Sequence, residues 1–323
     1  MVEVSTADLV EMAAGAAAVD INVSFRFDIW MLLLACAVSI LAGDTVIEFA
    51  QSRILKMKDT RMAEPQIRFD DGAGYERMMG KWSRIAGEVF LDWVKPPSGL
   101  RWIDVGCGNG AFTELLAERC RPSQIQGVDP SEAQLAFARS RHSAGIAHFR
   151  QGDAMALPFP DNSFDAAVMA LVIFFVPEPP AGVAEMARVV RPGGLVTSYA
   201  WDIEGGGFPH EPLLAEMRAM GLPPLRPPSF AASRMENLRT LWSGAGLDRI
   251  ETREIAVQRT FEDFDDYWSA ALLGASIKAT VATMTADQLG ELKEKVRTQL
   301  GADHGKPVTL DARANAIMGG VPD

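Results

Sequence analysis

The stretch WIDVGCGNGAFTELLAERC, residues 102–120, decides the fold. Its first residues are apolar and indicate a buried strand, and its last residues place apolar side chains at helical spacing. Three glycines, Gly106, Gly108 and Gly110, stand between the strand and the helix. Because glycine has no side chain, such a turn lets the backbone approach a ligand closely at the start of the helix. The sequence therefore predicts a ligand-binding turn in an α/β fold.

Strand and helix signals alternate along the middle of the chain. Four further strands are predicted, at 125–129, 147–153, 164–175 and 195–201. This alternation implies a parallel sheet with helices on both faces. Two late strands, 249–261 and 308–320, are predicted to pair as an antiparallel hairpin at the sheet edge. We therefore expect a Rossmann-like, doubly wound, mostly parallel seven-stranded sheet.

The segment that follows the fifth strand has a different composition. Residues 202–230 are rich in glycine and proline, and a loop of this length in a compact domain is often functional. Ligands of open α/β sheets bind outside the carboxyl ends of the strands. We expect this segment to form an inserted cap over that region.

The N-terminal part of the chain is predicted to be a separate, dispensable extension. Residues 1–61 form this extension, and the functional unit is expected to comprise residues 62–323. An uncharged apolar run at 29–43 is shorter than the roughly 20 residues that span a bilayer, and the acidic residues before it are unlike a secretory signal. Membrane contact through this run is not favoured. If it did insert, the basic residues after it would leave the rest of the chain in the cytoplasm.

Composition excludes several classes of function. The 323 residues carry a formal net charge of −11 and contain no basic run, so binding to a nucleic acid is not expected. The three cysteines form no metal-binding pattern, so no metal is expected. Few and widely spaced cysteines favour a reducing, cytoplasmic location. The sequence indicates chemistry on a small molecule.

The glycine turn alone leaves two ligand classes open. Gly106, Gly108 and Ala111 fit the loose fingerprint of nicotinamide dinucleotide sites, with Asp129 near the expected ribose distance. However, Asp104 precedes the turn by two residues and Asp153 ends the third strand. Three carboxylates around one crevice would repel a pyrophosphate. They suit a cationic ligand that is rich in hydrogen-bond donors.

Four stretches of the chain, in order and at matching spacing, carry a more specific signal: WIDVGCGNGAFTELL, IQGVDPSEAQLAFAR, FRQGDAMALPFPDNSFDAAVM and VPEPPAGVAEMARVVRPGGLV. They resemble the class I S-adenosylmethionine-dependent methyltransferases, and within them the type-11 methyltransferase family. The resemblance implies a methyltransferase domain at 62–323, with a cofactor-binding core at about 75–202 and a cap and C-terminal part at about 203–323. S-adenosylmethionine is the implied cofactor.

The resemblance also implies a set of cofactor-binding residues. In order, they are Asp104, Gly106, Cys107, Gly108, Gly110, Asp129, Pro130, Asp153, Ala154, Met155 and Ala170, with Pro130 and Met155 as apolar neighbours of the adenine. Asp104 and the glycine turn would hold the methionine part, and Asp129 would accept hydrogen bonds from the ribose hydroxyls. Asp153, with the backbone of Ala154, would bind the adenine edge. Ala170 would approach the methyl end.

The chain departs from the family after the fourth strand. Leu171, Phe174 and Phe175 replace the polar or histidine residues often found there, which removes the usual candidate base. Weak catalytic candidates are His210, Tyr199 and Asp202; His210 is expected to be a surface loop residue. The acceptor-binding candidates are Tyr75, Met79, Trp82, Phe174, Phe175 and Trp201, although ordinary packing of the helix around Tyr75 is an equal alternative. These side chains favour a planar or lipophilic small acceptor.

Three functional hypotheses follow from the sequence. The first is an S-adenosylmethionine-dependent methyltransferase that acts on a small molecule by in-line methyl transfer. The second is an NAD(P)-dependent oxidoreductase, because the glycine turn alone fits one. The third is a non-catalytic cofactor-binding module, which the missing polar residues near Leu171 favour.

Overall fold

The computed structural model describes Ile67 and residues 72–141 and 145–323. Seven strands of this part form one sheet: β1 Arg101–Val105, β2 Gln124–Asp129, β3 Ala147–Gln151, β4 Phe164–Ala170, β5 Val190–Trp201, β6 Asp248–Phe261 and β7 Val308–Gly320. Ten α-helices of the described residues surround it: α1 Gly72–Tyr75, α2 Lys81–Val94, α3 Ala111–Cys120, α4 Glu132–Ala138, α5 Pro179–Val189, α6 Glu211–Ala219, α7 Met235–Gly244, α8 Phe264–Ala271, α9 Ala275–Val281 and α10 Ala286–Gln299.

The sheet has the order β3-β2-β1-β4-β5-β7-β6. The first five strands are parallel to one another, with Asp104 of β1 opposite Gly127 of β2 and Val168 of β4. β7 is antiparallel to both β5 and β6. The predicted Rossmann-like, mostly parallel sheet with an antiparallel edge is confirmed. The two late strands pair as predicted, although three helices separate them in the chain.

The centre of the sheet is buried on both faces. Trp102, Ile103 and Val105 of β1 are fully buried, which explains why this strand is a continuous apolar run rather than an alternating one. One face is covered by α2, whose Phe90 lies 4.7 Å from the ring of Tyr199 on β5, centroid to centroid. Burial of aromatic side chains contributes strongly to stability. This packing fixes α2 on the sheet and thereby places the helical residues before it above the strand ends.

The predicted cap is present as ordered structure. Residues 202–230 contain helix α6, and a 3-10 turn follows at Phe230–Ser233. Asp202 accepts a 2.9 Å hydrogen bond from Arg313 on β7, and the backbone N–H of Ser229 donates to the carbonyl of Phe174 at 3.0 Å. Helix α9 was not foreseen from the sequence. The cap is therefore tied both to the sheet and to the loop after β4.

The N-terminal extension 1–61 and its apolar run 29–43 lie outside the described residues, and the boundary near residue 62 stays a prediction. In the part of the chain that the structure describes, no helix combines the length and apolar character needed to cross a bilayer.

Candidate active site

A hollow of about 540 Å³ opens at the carboxyl ends of β1, β2 and β4; we call it the glycine cleft. Its lining includes Gly106, Gly108, Asp129 and Asp153. A smaller space of about 40 Å³, the inner recess, continues beneath it and is lined by Asp104, Cys107, Ala170 and Tyr199 among others. Tyr75, Gly106, Gly108 and Val172 line both spaces. The three carboxylates singled out in the sequence therefore lie around two adjoining spaces that share lining residues.

The three glycines of the turn serve different purposes. All have positive φ angles, of 75°, 51° and 78°, which side chains rarely adopt. A Cβ on Gly106 would lie 2.5 Å from the side chain of Val172, and one on Gly110 would lie 3.0 Å from the Cβ of Ala138. A Cβ on Gly108 would meet no protein atom within 4 Å. The first and third glycines thus allow close packing, whereas the second leaves the cleft open.

Asp129 fixes the turn from the end of β2. Its Oδ2 accepts a 2.9 Å hydrogen bond from the N–H of Gly108, and its Oδ1 accepts a 2.8 Å bond from the N–H of Ser131. The side chain of Ser131 caps helix α4 by accepting from the N–H of Gln134. Burial raises the pKa of Asp129, against the effect of these two bonds. Each carboxylate oxygen retains a second lone pair for a donor in the cleft.

Asp104 is fully buried at the end of β1. Its Oδ2 accepts a 2.6 Å hydrogen bond from the hydroxyl of Thr113, while its buried Oδ1 has no hydrogen-bond partner in the described structure. Burial raises the pKa of Asp104 to about 7; the bond from Thr113 opposes this rise and the charge of Asp129 adds to it. A buried acceptor without a partner is costly. The inner recess is therefore suited to a cationic donor.

A second cavity, of about 410 Å³, lies under the cap; we call it the lid cavity. Its walls are mainly apolar and include Met78, Leu171, Phe174, Trp201 and Phe230. Ile67, Tyr75 and Phe175 line both the lid cavity and the glycine cleft, and Leu171 also lines the inner recess. The two larger hollows therefore meet beside Tyr75.

Leu171 adopts a strained backbone conformation at this junction. Its φ is 61°, in the left-handed region that costs a residue with a side chain about 1–2 kcal/mol. Its N–H donates to the carbonyl of Tyr199 at 2.7 Å, a contact that holds the strained turn in place. The strain ends β4 abruptly and turns the following aromatic residues, Phe174 and Phe175, toward the lid cavity that they line.

Comparison with known proteins shows that the part of the chain around the glycine cleft is similar to methyltransferases. A model described as the methyltransferase domain matches residues 103–197. Over 96 residues the chain is 41% identical to a fatty-acid O-methyltransferase of Mycolicibacterium smegmatis, which covers 30% of this chain and 35% of that protein. Over 157 residues it is 32% identical to a ubiquinone/menaquinone biosynthesis C-methyltransferase of Dinoroseobacter shibae, covering 42% of this chain and 63% of that protein.

The chain carries a class I S-adenosylmethionine-dependent methyltransferase domain. The predicted resemblance to class I S-adenosylmethionine-dependent methyltransferases is confirmed for this domain, and the activity of the whole chain is a proposal. The match is to a domain, because the chain spans between 35% and 63% of the length of these relatives.

Solved structures show the same fold. The YcgJ protein of Bacillus subtilis has a TM-score of 0.50 at 18% identity, covering 74% of this chain and 98% of that one. A protein of Bacillus halodurans C-125, provisionally named a methyltransferase, also has a TM-score of 0.50, at 16% identity, covering 73% of this chain and 99% of that one. At these identities the likeness shows the shared architecture of the methyltransferase domain.

The residues of the methyltransferase domain fit the cofactor. The unpartnered Oδ1 of Asp104 suits the ammonium of the methionine part, and the open space at Gly108 leaves room for the bound molecule. Nine of the eleven residues predicted to bind the cofactor line the cleft or the recess: Asp104, Gly106, Cys107, Gly108, Asp129, Pro130, Asp153, Ala154 and Ala170. Gly110 packs against Ala138 instead, and Met155 packs against the core and donates its N–H to Asp153 at 2.9 Å.

Five of the six residues predicted to bind the acceptor line the lid cavity: Tyr75, Met79, Phe174, Phe175 and Trp201. Trp82 does not line it. This tryptophan is fully buried behind Trp201, with the two rings edge to face and 6.3 Å apart. Trp82 therefore packs behind the wall of the lid cavity and is not part of that wall.

The three weak catalytic candidates offer no free base to the lid cavity. His210, expected at the surface, is fully buried between Phe208 and Tyr267, and burial lowers its pKa to about 3, with a smaller contribution from Arg259. Asp202 is engaged by Arg313. Tyr199 is fully buried, its hydroxyl donates to the carbonyl of Ser83 at 3.4 Å, and burial raises its pKa.

Sequence reasoning missed a contact that joins the helical residues before α2 to the glycine turn. Glu76, in a π-helical turn at Glu76–Gly80, accepts a 2.9 Å bond from the side chain of Asn109 and pairs with Arg141. Arg141 also donates to the carbonyl of Asn109 at 2.6 Å. This contact places Tyr75 over the cleft. No local pattern reveals it, because Glu76 and Arg141 are 65 residues apart in the chain.

Proposed function

We propose that the protein transfers the methyl group of S-adenosylmethionine to a small, largely apolar acceptor seated in the lid cavity. The observation that carries this proposal is the junction at Tyr75, where an acidic cleft of about 540 Å³ meets an apolar cavity of about 410 Å³. A polar cofactor and an apolar acceptor would thus occupy adjoining sites, as methyl transfer requires.

The cofactor would lie in the glycine cleft with its adenine at one end and its methionine part in the inner recess. Asp153 and the backbone of Ala154 would bind the adenine, and Asp129 would bind the ribose hydroxyls. Asp104 would hold the ammonium in the inner recess. The methyl group would then face the lid cavity near Ala170 and Leu171. The bound cofactor supplies an already activated methyl group on its sulfonium.

The protein would accelerate the methyl transfer mainly by aligning the cofactor and the acceptor. The described residues that line the lid cavity include no histidine, cysteine, lysine or aspartate. Its two glutamates, Glu204 and Glu211, are each paired with an arginine. Holding two reactants in the correct geometry contributes up to roughly 7–11 kcal/mol in favourable cases. We therefore propose an acceptor atom that reacts without removal of a proton by a side chain in this cavity.

The names of the relatives agree with an apolar acceptor. One is a fatty-acid methyltransferase and another a ubiquinone/menaquinone biosynthesis methyltransferase, and both kinds of name denote lipophilic molecules. We also propose that the protein works in the cytoplasm on a small-molecule partner. In support, Cys107 and Cys120 are free thiols, as expected in a reducing compartment.

Two experiments test the proposal. Titration calorimetry compares S-adenosylhomocysteine with NADH, and we expect heat only from the former. The full chain is then incubated with a metabolite extract and methyl-labelled S-adenosylmethionine, and mass spectrometry searches for a small molecule that gains one labelled methyl group. Binding of NADH alone would overturn the cofactor assignment. Firm cofactor binding with no labelled product from any extract would instead favour the non-catalytic module.

A further inference from the structure

The lid cavity carries one positive charge that its own acids do not neutralise. Five charged residues line it: Glu204, Glu211, Arg218, Arg226 and Arg234. Glu204 pairs with Arg234, and Glu211 pairs with Arg218. Arg226 makes no ion pair with any described residue. An uncompensated guanidinium beside an apolar cavity attracts an anion.

The backbone around Arg226 is stiff. Pro223, Pro224, Pro227 and Pro228 flank it within the stretch PPLRPP. Each proline fixes its own φ and restricts the residue before it. A side chain presented on such a loop loses little backbone entropy when it binds a ligand.

Both ends of this proline loop are fastened to the walls of the cavity. The N–H of Leu225 donates to the carbonyl of Ser276 at 3.3 Å, and the hydroxyl of Thr280 donates to the carbonyl of Pro223 at 3.3 Å. At the other end, Ser229 donates its N–H to the carbonyl of Phe174 at 3.0 Å. The loop therefore holds Arg226 at a fixed place relative to the aromatic wall.

An aromatic ring also orients the guanidinium. The Cζ of Arg226 lies 4.9 Å from the ring centroid of Phe230, within the range of a cation–π contact. The five N–H donors of a guanidinium lie in its plane and match the two oxygens of a carboxylate or phosphate. Arg226 lines the lid cavity but not the glycine cleft. The bound anion would thus lie away from the cofactor.

We propose that the acceptor is an amphipathic anion and that Arg226 is the residue that selects it. The apolar body of the acceptor fills the lid cavity, and a carboxylate or phosphate group, distinct from the methylated atom, binds the guanidinium. This inference rests on the proposed function, because it assigns the lid cavity to the acceptor. Its test uses binding alone and does not depend on turnover.

The experiment measures affinity for three probes with the same apolar tail: octanoate, octyl phosphate and 1-octanol. Titration calorimetry is performed on the full chain, with and without saturating S-adenosylhomocysteine. We expect at least one of the two anions to bind about tenfold more tightly than the alcohol. The comparison between octanoate and octyl phosphate shows which anionic group is preferred.

Variants assign the effect to the residue. Arg226→Gln should abolish the preference for the anion while leaving the affinities for 1-octanol and S-adenosylhomocysteine unchanged, and Arg226→Lys should retain part of it. Arg253→Gln, which removes another exposed arginine that does not line the cavity, serves as the matched control and should behave as wild type. Equal affinity for anion and alcohol, binding of none of the probes, or a preference that survives Arg226→Gln would overturn the inference. If the wild-type chain did not bind S-adenosylhomocysteine at all, that result would instead contradict the proposed function.

Discussion

The glycine cleft and the lid cavity lie side by side but are built in opposite ways. The glycine turn and the three carboxylates of the cleft and its recess come from residues 104–154, which belong to one run of consecutive strands and turns, while Ile67, Tyr75 and residues 172–177 complete the cleft wall. The lid cavity is made mainly from apolar side chains of separate segments: Ile67 and residues around 75–79, 171–175, 201–234 and 274–277. The difference teaches that the proposed cofactor site is specified largely by one local stretch, whereas the proposed acceptor site depends on distant parts of the chain.

The largest effect is expected on the cleft side, from Asp129→Ala. This change removes the proposed acceptor for two ribose hydroxyls and frees the N–H groups of Gly108 and Ser131. Each charge-assisted hydrogen bond contributes about 1.5–3 kcal/mol, so we expect affinity for S-adenosylhomocysteine to fall by about a hundredfold or more in titration calorimetry. The exposed Asp287→Ala is the matched control and should bind normally. Unchanged affinity in Asp129→Ala would remove the ribose assignment.

A second prediction separates the open cleft from backbone strain by comparing Gly108→Ala with Gly99→Ala. Both glycines have positive φ, 51° and 81°, and an added Cβ meets no protein atom within 4 Å at either position. Both variants should lose about 1–2 kcal/mol of stability to unfolding by urea. Only Gly108 lines the cleft, so only Gly108→Ala should weaken S-adenosylhomocysteine binding, by roughly thirtyfold.

Equal binding losses in the two glycine variants would show that strain, and not space in the cleft, accounts for the effect. Normal binding by Gly108→Ala would show that the ligand does not approach this part of the turn.

Much of the cleft could be predicted from the sequence because its pattern is local. Asp104 and Asp129 lie at the carboxyl ends of β1 and β2, Asp153 lies two residues after β3, and the ends of adjacent parallel strands meet at one edge of a sheet. Strand order therefore brings these acids together without knowledge of side-chain packing. Gly110 shows the limit of this reasoning: its motif position predicts cofactor contact, but it lines neither the cleft nor the recess, and a Cβ there would meet Ala138, so this contact stays a prediction.

The lid could not be predicted at the same detail. His210 was expected at the surface because its neighbours in the chain are glycine, proline and acidic residues. It is buried by Tyr267 and Phe208 and lies near Arg259, and two of these three residues are about 50 or more positions away. Helix α9 likewise has no clear local pattern. Nor does the sequence reveal that Glu204 and Glu211 pair with Arg234 and Arg218 and not with Arg226.

The third prediction concerns the pH dependence of cofactor binding and tests whether Asp104 binds the ammonium of the cofactor. Its raised pKa of about 7 means that it is protonated below about pH 7 in the free protein. The ammonium of the ligand favours the ionised carboxylate, so binding must then release a proton. We expect affinity for S-adenosylhomocysteine to level off near pH 8 and to fall by about tenfold between about pH 8 and pH 6.

Asp104→Asn should bind more weakly and without this pH dependence. Titration calorimetry in two buffers of different ionisation enthalpy would count the released proton directly. A wild-type affinity that does not change from about pH 8 to pH 6 would contradict the assignment of Asp104 to the ammonium.

The smallest effect is expected on the lid side, from the buried His210. Its folded pKa of about 3 lies below the ordinary value of 6.5, so the unfolded chain binds a proton that the folded lid does not. Stability is therefore fully present above about pH 6.5 and is lost as the pH falls, by about 1.2 kcal/mol between about pH 7 and pH 5.5. Asp104 acts in the opposite sense, since its raised folded pKa adds stability as the pH falls below 7. The two contributions oppose each other in wild type, and only variants separate them.

His210→Phe isolates the lid contribution. Neither ring nitrogen of His210 has a hydrogen-bond partner in the described structure, so an apolar ring of similar size should be tolerated between Phe208 and Tyr267. In urea unfolding followed by circular dichroism, the variant should lose about 1.2 kcal/mol less than wild type over the same pH range. His148→Phe, at an exposed position on β3, should keep the wild-type slope. Hydrogen exchange at about pH 5.5 should show faster opening of α6 than of β1 in wild type but not in His210→Phe, because His210 directly precedes α6. Equal opening of α6 and β1 in wild type would mean that the lid and the cleft unfold as one unit. The two regions would then differ in their chemistry but not in their stability.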